Sequence, residues 1–122
     1  MMHLNFNSDK PIYLQLAEAI EDDILKGILE EESQVVSTTE LSVKLKINPA
    51  TAGKGFNLLV DEGIIYKKRG VGMFVSIGAK EKILQKRKDA FYENYIATLI
   101  DEAAKLNISK AEIIKMIERG SK

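Results

Sequence analysis

Two helix-start signals stand one short helix apart in this chain, and no other feature leaves its fold so few options. The first is Ser37-Thr38-Thr39-Glu40, a capping box in which the Ser37 hydroxyl and the Glu40 carboxylate satisfy each other's free backbone donors. The second is Asn48-Pro49, where Asn48 suits an N-cap and Pro49 the first helical position, since a missing N–H there would be unpaired anyway. The helix after the first signal buries Leu41 and Leu45 and ends in a tight turn at Lys46-Ile47. The helix after the second buries Phe56, Leu59 and Val60 and stops at Glu62-Gly63, where Gly63 can take the left-handed cap conformation.

What flanks this pair completes a recognisable order. Upstream, Ile12, Leu16, Ile20, Ile24 and Ile28 recur every four residues with Ala17 and Leu25 beside them, so a longer helix begins near Pro11. Its acidic side chains, Glu18, Glu21, Asp22 and Asp23, read as solvated surface. Glu30-Glu31-Glu32-Ser33 reads as a loop and Gln34-Val35-Val36 as a short strand. Downstream, Ile64 to Lys67 and Met73 to Ser76 are β-prone segments around Lys68-Arg69-Gly70-Val71-Gly72, a hairpin with a basic, glycine-rich tip. From about Lys80 to Leu106 apolar residues return at three- and four-residue steps, which predicts a helix of about 40 Å. A second capping box, Ser109-Lys110-Ala111-Glu112, opens a last helix expected to bury Ile113, Ile114 and Ile117.

The order is helix, helix, helix, hairpin, then a helical hairpin. The expected fold is mainly α with a small β-hairpin: a winged helix-turn-helix over residues 1–78 and a two-helix dimerisation region over residues 79–122. In such a fold the second short helix is the natural reader of the DNA major groove. Its first turn offers free N–H groups, the positive end of the helix dipole and small side chains at Asn48, Ala50 and Thr51. Lys54, one turn on, reaches a phosphate or a base edge. The hairpin lays Lys67, Lys68 and Arg69 along the backbone or puts Arg69 into the minor groove. Each feature has a plainer reading: Ser37 and Asn48 cap helices in any protein, Gly70-Val71-Gly72 alone is a hairpin turn, and a Lys-Lys-Arg run is usually solvated surface.

Charge tempers this picture. Eighteen Lys and Arg against eighteen Asp and Glu leave no net charge, which is not the footprint of a chain that grips nucleic acid everywhere. Residues 1–78 carry 8 basic and 11 acidic side chains, a balance of −3, and residues 79–122 carry 10 and 7, a balance of +3. Within the first part, however, the stretch from Lys44 to Gly72 holds six cations against Asp61 and Glu62. A winged-helix module that binds protein instead of specific DNA therefore stays open as the alternative. A small-molecule pocket near Tyr66, Phe74 and Tyr95 is a third option that no residue positively marks.

Catalysis has little to build on. There is no cysteine, the one histidine, His3, sits near the start, and no metal-spaced cluster or cofactor motif is present. Asp22-Asp23 and Asp61-Glu62 are neighbours one apart on helices and do not converge on one substrate. No apolar run approaches the roughly 20 residues of a membrane helix, and Met1-Met2-His3-Leu4-Asn5 lacks the design of a signal peptide, so a cytoplasmic protein is expected.

Four stretches, Pro11-Ile12-Tyr13-Leu14-Gln15-Leu16, Ser37-Thr38-Thr39-Glu40-Leu41, Asn48-Pro49-Ala50-Thr51 and Arg69-Gly70-Val71-Gly72-Met73-Phe74-Val75, resemble the GntR family of bacterial transcription regulators. The tail, two helices joined by an Ile-Ser-Lys-Ala-Glu turn, is similar to that of the YtrA subfamily, whose short C-terminal part serves dimerisation. The resemblance implies DNA contacts at Thr38, Thr39, Asn48, Ala50, Thr51, Lys54, Arg69 and Gly70, and Ser37, Pro49, Lys68 and Gly72 beside them complete the expected DNA-binding set. It further implies a homodimeric repressor of a palindromic operator, acting on its own promoter and on a neighbouring transporter operon. The dimer would form through Leu84, Phe91, Tyr95, Leu99, Ala103, Ile113 and Ile117, on an apolar stripe wider than one partner helix needs. Three features depart from the family's pattern. Val36 stands where proline is usual, Thr39 stands where arginine is usual and would supply a bidentate fork, and the reading helix holds both Gly53 and Gly55.

Overall fold

Helix α1, Ile12–Leu25, starts one residue after Pro11, and its apolar spacing carries Leu16, Ala17, Ile20 and Ile24 into the interior. A computed structural model describes residues 3–121. Two expectations about α1 need correction. Ile28 is 63% exposed, because the helix has already closed: the Ile28 N–H donates to Asp23 O at 2.9 Å and the chain leaves the helical register. Glu21, expected on the solvated face, is only 1% exposed. It stands one turn after Ala17 on the same buried stripe, so the helix carries it inward with its neighbours.

The next elements are strand β1 (Gln34–Val35), helices α2 (Thr38–Leu45) and α3 (Pro49–Asp61), and strands β2 (Ile65–Lys68) and β3 (Gly72–Val75). The sheet order is β1-β3-β2, antiparallel throughout, with Ile65 opposite Val75 and Lys68 opposite Gly72. Both helices of the pair are capped by the expected side chains, although the Ser37 box forms in one direction only, without a bond from the Ser37 N–H to the Glu40 carboxylate. Ser37 Oγ accepts from the Glu40 N–H at 3.1 Å, and Asn48 Oδ1 accepts from the Ala50 N–H at 2.8 Å. Leu41 is buried in α2, and Leu45 is half-buried at its end, packed on the core edge. In α3, Phe56 and Leu59 are fully enclosed, whereas Val60 lies partly buried at the margin. The core joins these to Val35, Ile64, Ile65, Val75, Ala79 and Ile83, so α1, the helix pair and the sheet share one apolar interior. The acidic loop before β1 also has a structural use. The Glu31 carboxylate accepts from the backbone N–H groups of Gly78 at 3.0 Å and Lys80 at 3.4 Å, where the next helix begins.

The remaining helices are α4 (Ala79–Phe91), a π-helical turn at Tyr92–Ile96, α5 (Ala97–Lys105) and α6 (Lys110–Gly120). The expected long helix is thus interrupted by a wider turn, which shifts the apolar stripe around the axis at that point. The chain divides into two compact units, Met1–Leu84 and Gln85–Lys122. In the second, Ser109 Oγ accepts from the Glu112 N–H at 3.1 Å, one half of the capping box, while the Glu112 carboxylate accepts from the Ser109 hydroxyl at 3.2 Å in place of its backbone N–H. The last helix, however, buries none of its residues. Ile113 is half-buried, while Ile114 and Ile117 remain exposed, because α5 alone has too little surface to cover them. No described helix is long and apolar enough to cross a membrane.

Candidate nucleic-acid interface

Helix α3 turns Ala52, Gly55, Phe56 and Leu59 toward the core. A period of 3.6 residues then places Ala50, Lys54, Asn57 and Asp61 together on the opposite side, and all four are exposed. The stripe starts at the capped N-terminus, where Asn48 and Pro49 are also exposed and Thr51 is half-buried. Asn57 was not among the expected contacts. Its position seven residues after Ala50 and three after Lys54 is the signal that marks it, and its amide can pair with an adenine edge.

The two glycines of α3 differ in their surroundings. A Cβ on Gly55 would stand 2.9 Å from the Tyr13 carbonyl oxygen and 3.3 Å from Leu16 Cδ2, so α1 and α3 approach there as closely as backbone allows. A Cβ on Gly53 would meet nothing within 4 Å. Gly53 lines an open groove of about 530 Å³ together with Tyr13, Ala50, Lys54, Asn57 and Asp61. Across this groove the Lys54 ammonium lies over the Tyr13 ring, 4.2 Å from its centroid. Tyr13 belongs to the opening Pro-Ile-Tyr-x-Gln stretch, and Gln15 explains that motif's last residue. Gln15 accepts from the Asn5 N–H at 2.7 Å and donates to Asn5 O and Lys10 O at 2.9 and 2.8 Å, tying the leading segment to α1.

The start of α2 adds exposed Ser37 and Thr39, with Thr38 half-buried; the Thr39 carbonyl accepts from the Ser42 hydroxyl at 2.8 Å. The hairpin is the second cationic group. Its tip closes through Val71 N–H to Lys68 O at 2.9 Å, with Gly70 at φ +77°, a conformation that suits glycine. Gly72 is as constrained: φ is +140°, and an added Cβ would stand 2.6 Å from Gln34 Nε2. That same amide donates to Val71 O at 3.0 Å, so β1 braces the tip. Alternation along β2 sends Lys67 and Lys68 to opposite faces. Lys68 shares its face with Tyr66 and Phe74, whose rings stack at 5.9 Å, and its ammonium lies 5.0 Å from the Phe74 centroid. Arg69 and Gly70 are exposed at the tip. Among the described residues no group of three or more His, Cys, Asp or Glu side chains is placed to hold a metal.

Of the residues expected at a dimer contact, Leu84, Phe91, Tyr95, Leu99 and Ile117 are exposed, Ile113 is half-buried and Ala103 is buried. Within the second unit, Leu99, Ala103, Leu106, Ile113, Met116 and Ile117 line a largely apolar groove of about 330 Å³. Phe91, just before the π turn, and Tyr95, within it, stack obliquely at 5.3 Å.

Residues 12–75 match the model of the bacterial regulatory proteins of the gntR family, a span that runs from the start of α1 to the end of β3. The transcriptional repressor YtrA of Bacillus subtilis is 31% identical over 101 residues, which is 83% of this chain and 78% of that protein. A crystal structure described as a GntR-family transcriptional regulator from Bacteroides thetaiotaomicron shares 39% identity, covering 88% of this chain and 94% of the other, with a TM-score of 0.77. The DNA-binding domain of AraR, solved in complex with its operator ORX1, superposes with a TM-score of 0.56 at 25% identity, covering 62% of this chain and 96% of that one.

Proposed function

The chain belongs to the GntR family of bacterial regulatory proteins, among its YtrA-type members, and from that premise we propose that it is a transcription repressor binding a palindromic operator as a homodimer. The family consists of transcription regulators, not enzymes. One observation carries the reading: the exposed stripe Ala50, Lys54 and Asn57 begins at a capped helix N-terminus and projects away from the core. A helix presented in this way enters a major groove with its first turns against base edges. Thr38, Thr39, Asn48, Pro49 and Thr51 border it, and Lys68, Arg69, Gly70 and Gly72 form the wing that tracks the adjacent backbone. The operator complex of the AraR domain supports the same use of the fold.

In this reading residues 1–78 bind DNA and residues 79–122 dimerise. With a local excess of only a few positive charges, one subunit makes few phosphate contacts, and two copies on a twofold site make tight binding possible. The apolar groove of the second unit supplies the surface for a second copy. The regulated genes would be its own and a neighbouring transporter operon. Selection of bound duplexes from a random-sequence pool tests the operator: an inverted repeat is expected, and scrambling either half should abolish most of the affinity. Selection of a single unrepeated motif, or unchanged affinity after scrambling, overturns the palindromic dimer. Transcript levels after deletion of the gene test the regulated operon and the sign.

A further inference from the structure

We propose that Tyr13 is a positioning residue for DNA binding: its ring holds the Lys54 ammonium at the seam of α1 and α3, so that the lysine meets a phosphate already ordered. This rests on the reading of the outer α3 stripe as the face that meets DNA. Lysine carries a long, flexible stem and loses much rotamer freedom when its ammonium is fixed. At 4.2 Å from the ring centroid, the ammonium lies within the range of a cation–π contact, and one side of it faces away from the ring. N–H donors on that side remain available to a phosphate oxygen.

The backbone that carries the ring is held in place. Gly55, the residue after Lys54, lets the Tyr13 carbonyl approach α3 to within 2.9 Å of a Cβ position, which locks the first turn of α1 onto the reading helix. Two residues on, Gln15 anchors the preceding segment by three hydrogen bonds to Asn5 and Lys10. Gly55 and Tyr13 thus act together, one setting the helix separation and the other using it to hold a cation. The wing repeats the device with Lys68 over Phe74, itself stacked on Tyr66. A protein with few cations on its DNA face gains most from having them ordered in advance, since apparent affinity scales with the fraction of molecules in the competent conformation.

A double-mutant cycle tests this, using a fluorescent duplex selected by the wild-type protein from a random-sequence pool. Lys54→Met should weaken binding. Tyr13→Leu should weaken it by about two- to fivefold per subunit, hence about four- to twenty-five-fold for two subunits, and Tyr13→Phe should stay within about twofold of wild type. In the Lys54→Met background Tyr13→Leu should add nothing. Wild-type affinity or tighter binding in Tyr13→Leu overturns the proposal. So does a loss that persists undiminished without Lys54, or a Tyr13→Phe variant as weak as Tyr13→Leu, which would assign the effect to the hydroxyl. Wild-type affinity in Lys54→Met instead overturns the α3 face itself. Should Tyr13→Leu fail to fold, the free wild-type protein decides by NMR: the Lys54 Hε resonances should be shifted upfield by the ring, and unshifted resonances overturn the proposal.

Discussion

Gly55 in α3 sits against the main chain of Tyr13 in α1, so closely that an added Cβ would come within 2.9 Å of the Tyr13 carbonyl oxygen. Glycine in a helix interior costs about 1 kcal/mol relative to alanine, so two of them in one reading helix need separate explanations. Gly55 has one in this close approach, and Gly53, with open space around it, has none in packing.

The two alanine substitutions should therefore differ in sign. Gly53→Ala should raise stability by about 0.5–1 kcal/mol through helix propensity alone. Gly55→Ala should lower it by about 1–2 kcal/mol net, because the clash with fixed backbone outweighs the same gain. Urea unfolding at a single protein concentration measures both, and a stabilised Gly55→Ala would show that the two helices separate at little cost.

Local chemistry was readable in the chain, and pairings between distant residues were not. Ser37, Asn48 and Ser109 declared their helices because a cap involves residues two or three apart. The wing was readable because Gly70 and Gly72 meet a demand of the turn itself. Glu21 turns inward although its charge argues for solvent, because its spacing from Ala17 sets it on the core stripe. The π turn leaves no periodic mark of its own. In the candidate site, the cations Lys54, Lys68 and Arg69 could be picked out from the sequence, yet the rings beneath two of them could not. Tyr13 and Lys54 lie on different helices, and nothing in their local sequence pairs them.

Lys46 closes α2 in the left-handed conformation, with φ 56° and ψ 48°. A side chain there costs on the order of 1 kcal/mol that glycine avoids. Lys46→Gly should raise stability by about that amount. Thermal unfolding of the two proteins at matched concentration checks it, and no gain would mean that the lysine side chain contributes a compensating interaction.

Lys54→Ala and Arg69→Ala should each weaken operator binding and lower the slope of log affinity against log salt by about one for each phosphate that is no longer neutralised. Both side chains are exposed, so folding should be unaffected. Titrations between about 50 and 200 mM salt provide the comparison. A variant that loses affinity for one base change but keeps the slope would place its side chain on a base edge instead.

The second unit leaves Tyr95 at 64% and Ile117 at 56% exposure, and Leu99 lines an apolar groove with Ile117. Large apolar side chains gathered in this way on a surface mark a contact with another protein, and on a twofold dimer each would face the same patch of the second copy. Leu99→Lys places a charge in that groove at a position already touching solvent, so the isolated subunit should tolerate it while the dimer should not. Light scattering should then report a monomer that keeps its helical circular dichroism. Affinity for the full operator should fall by about a hundredfold or more, because the second half-site is no longer engaged from the same complex. Binding to a single half-site should be unchanged, since α3 and the wing are untouched. A Leu99→Lys protein that remains dimeric and binds the full operator like wild type would move the subunit contact away from this groove.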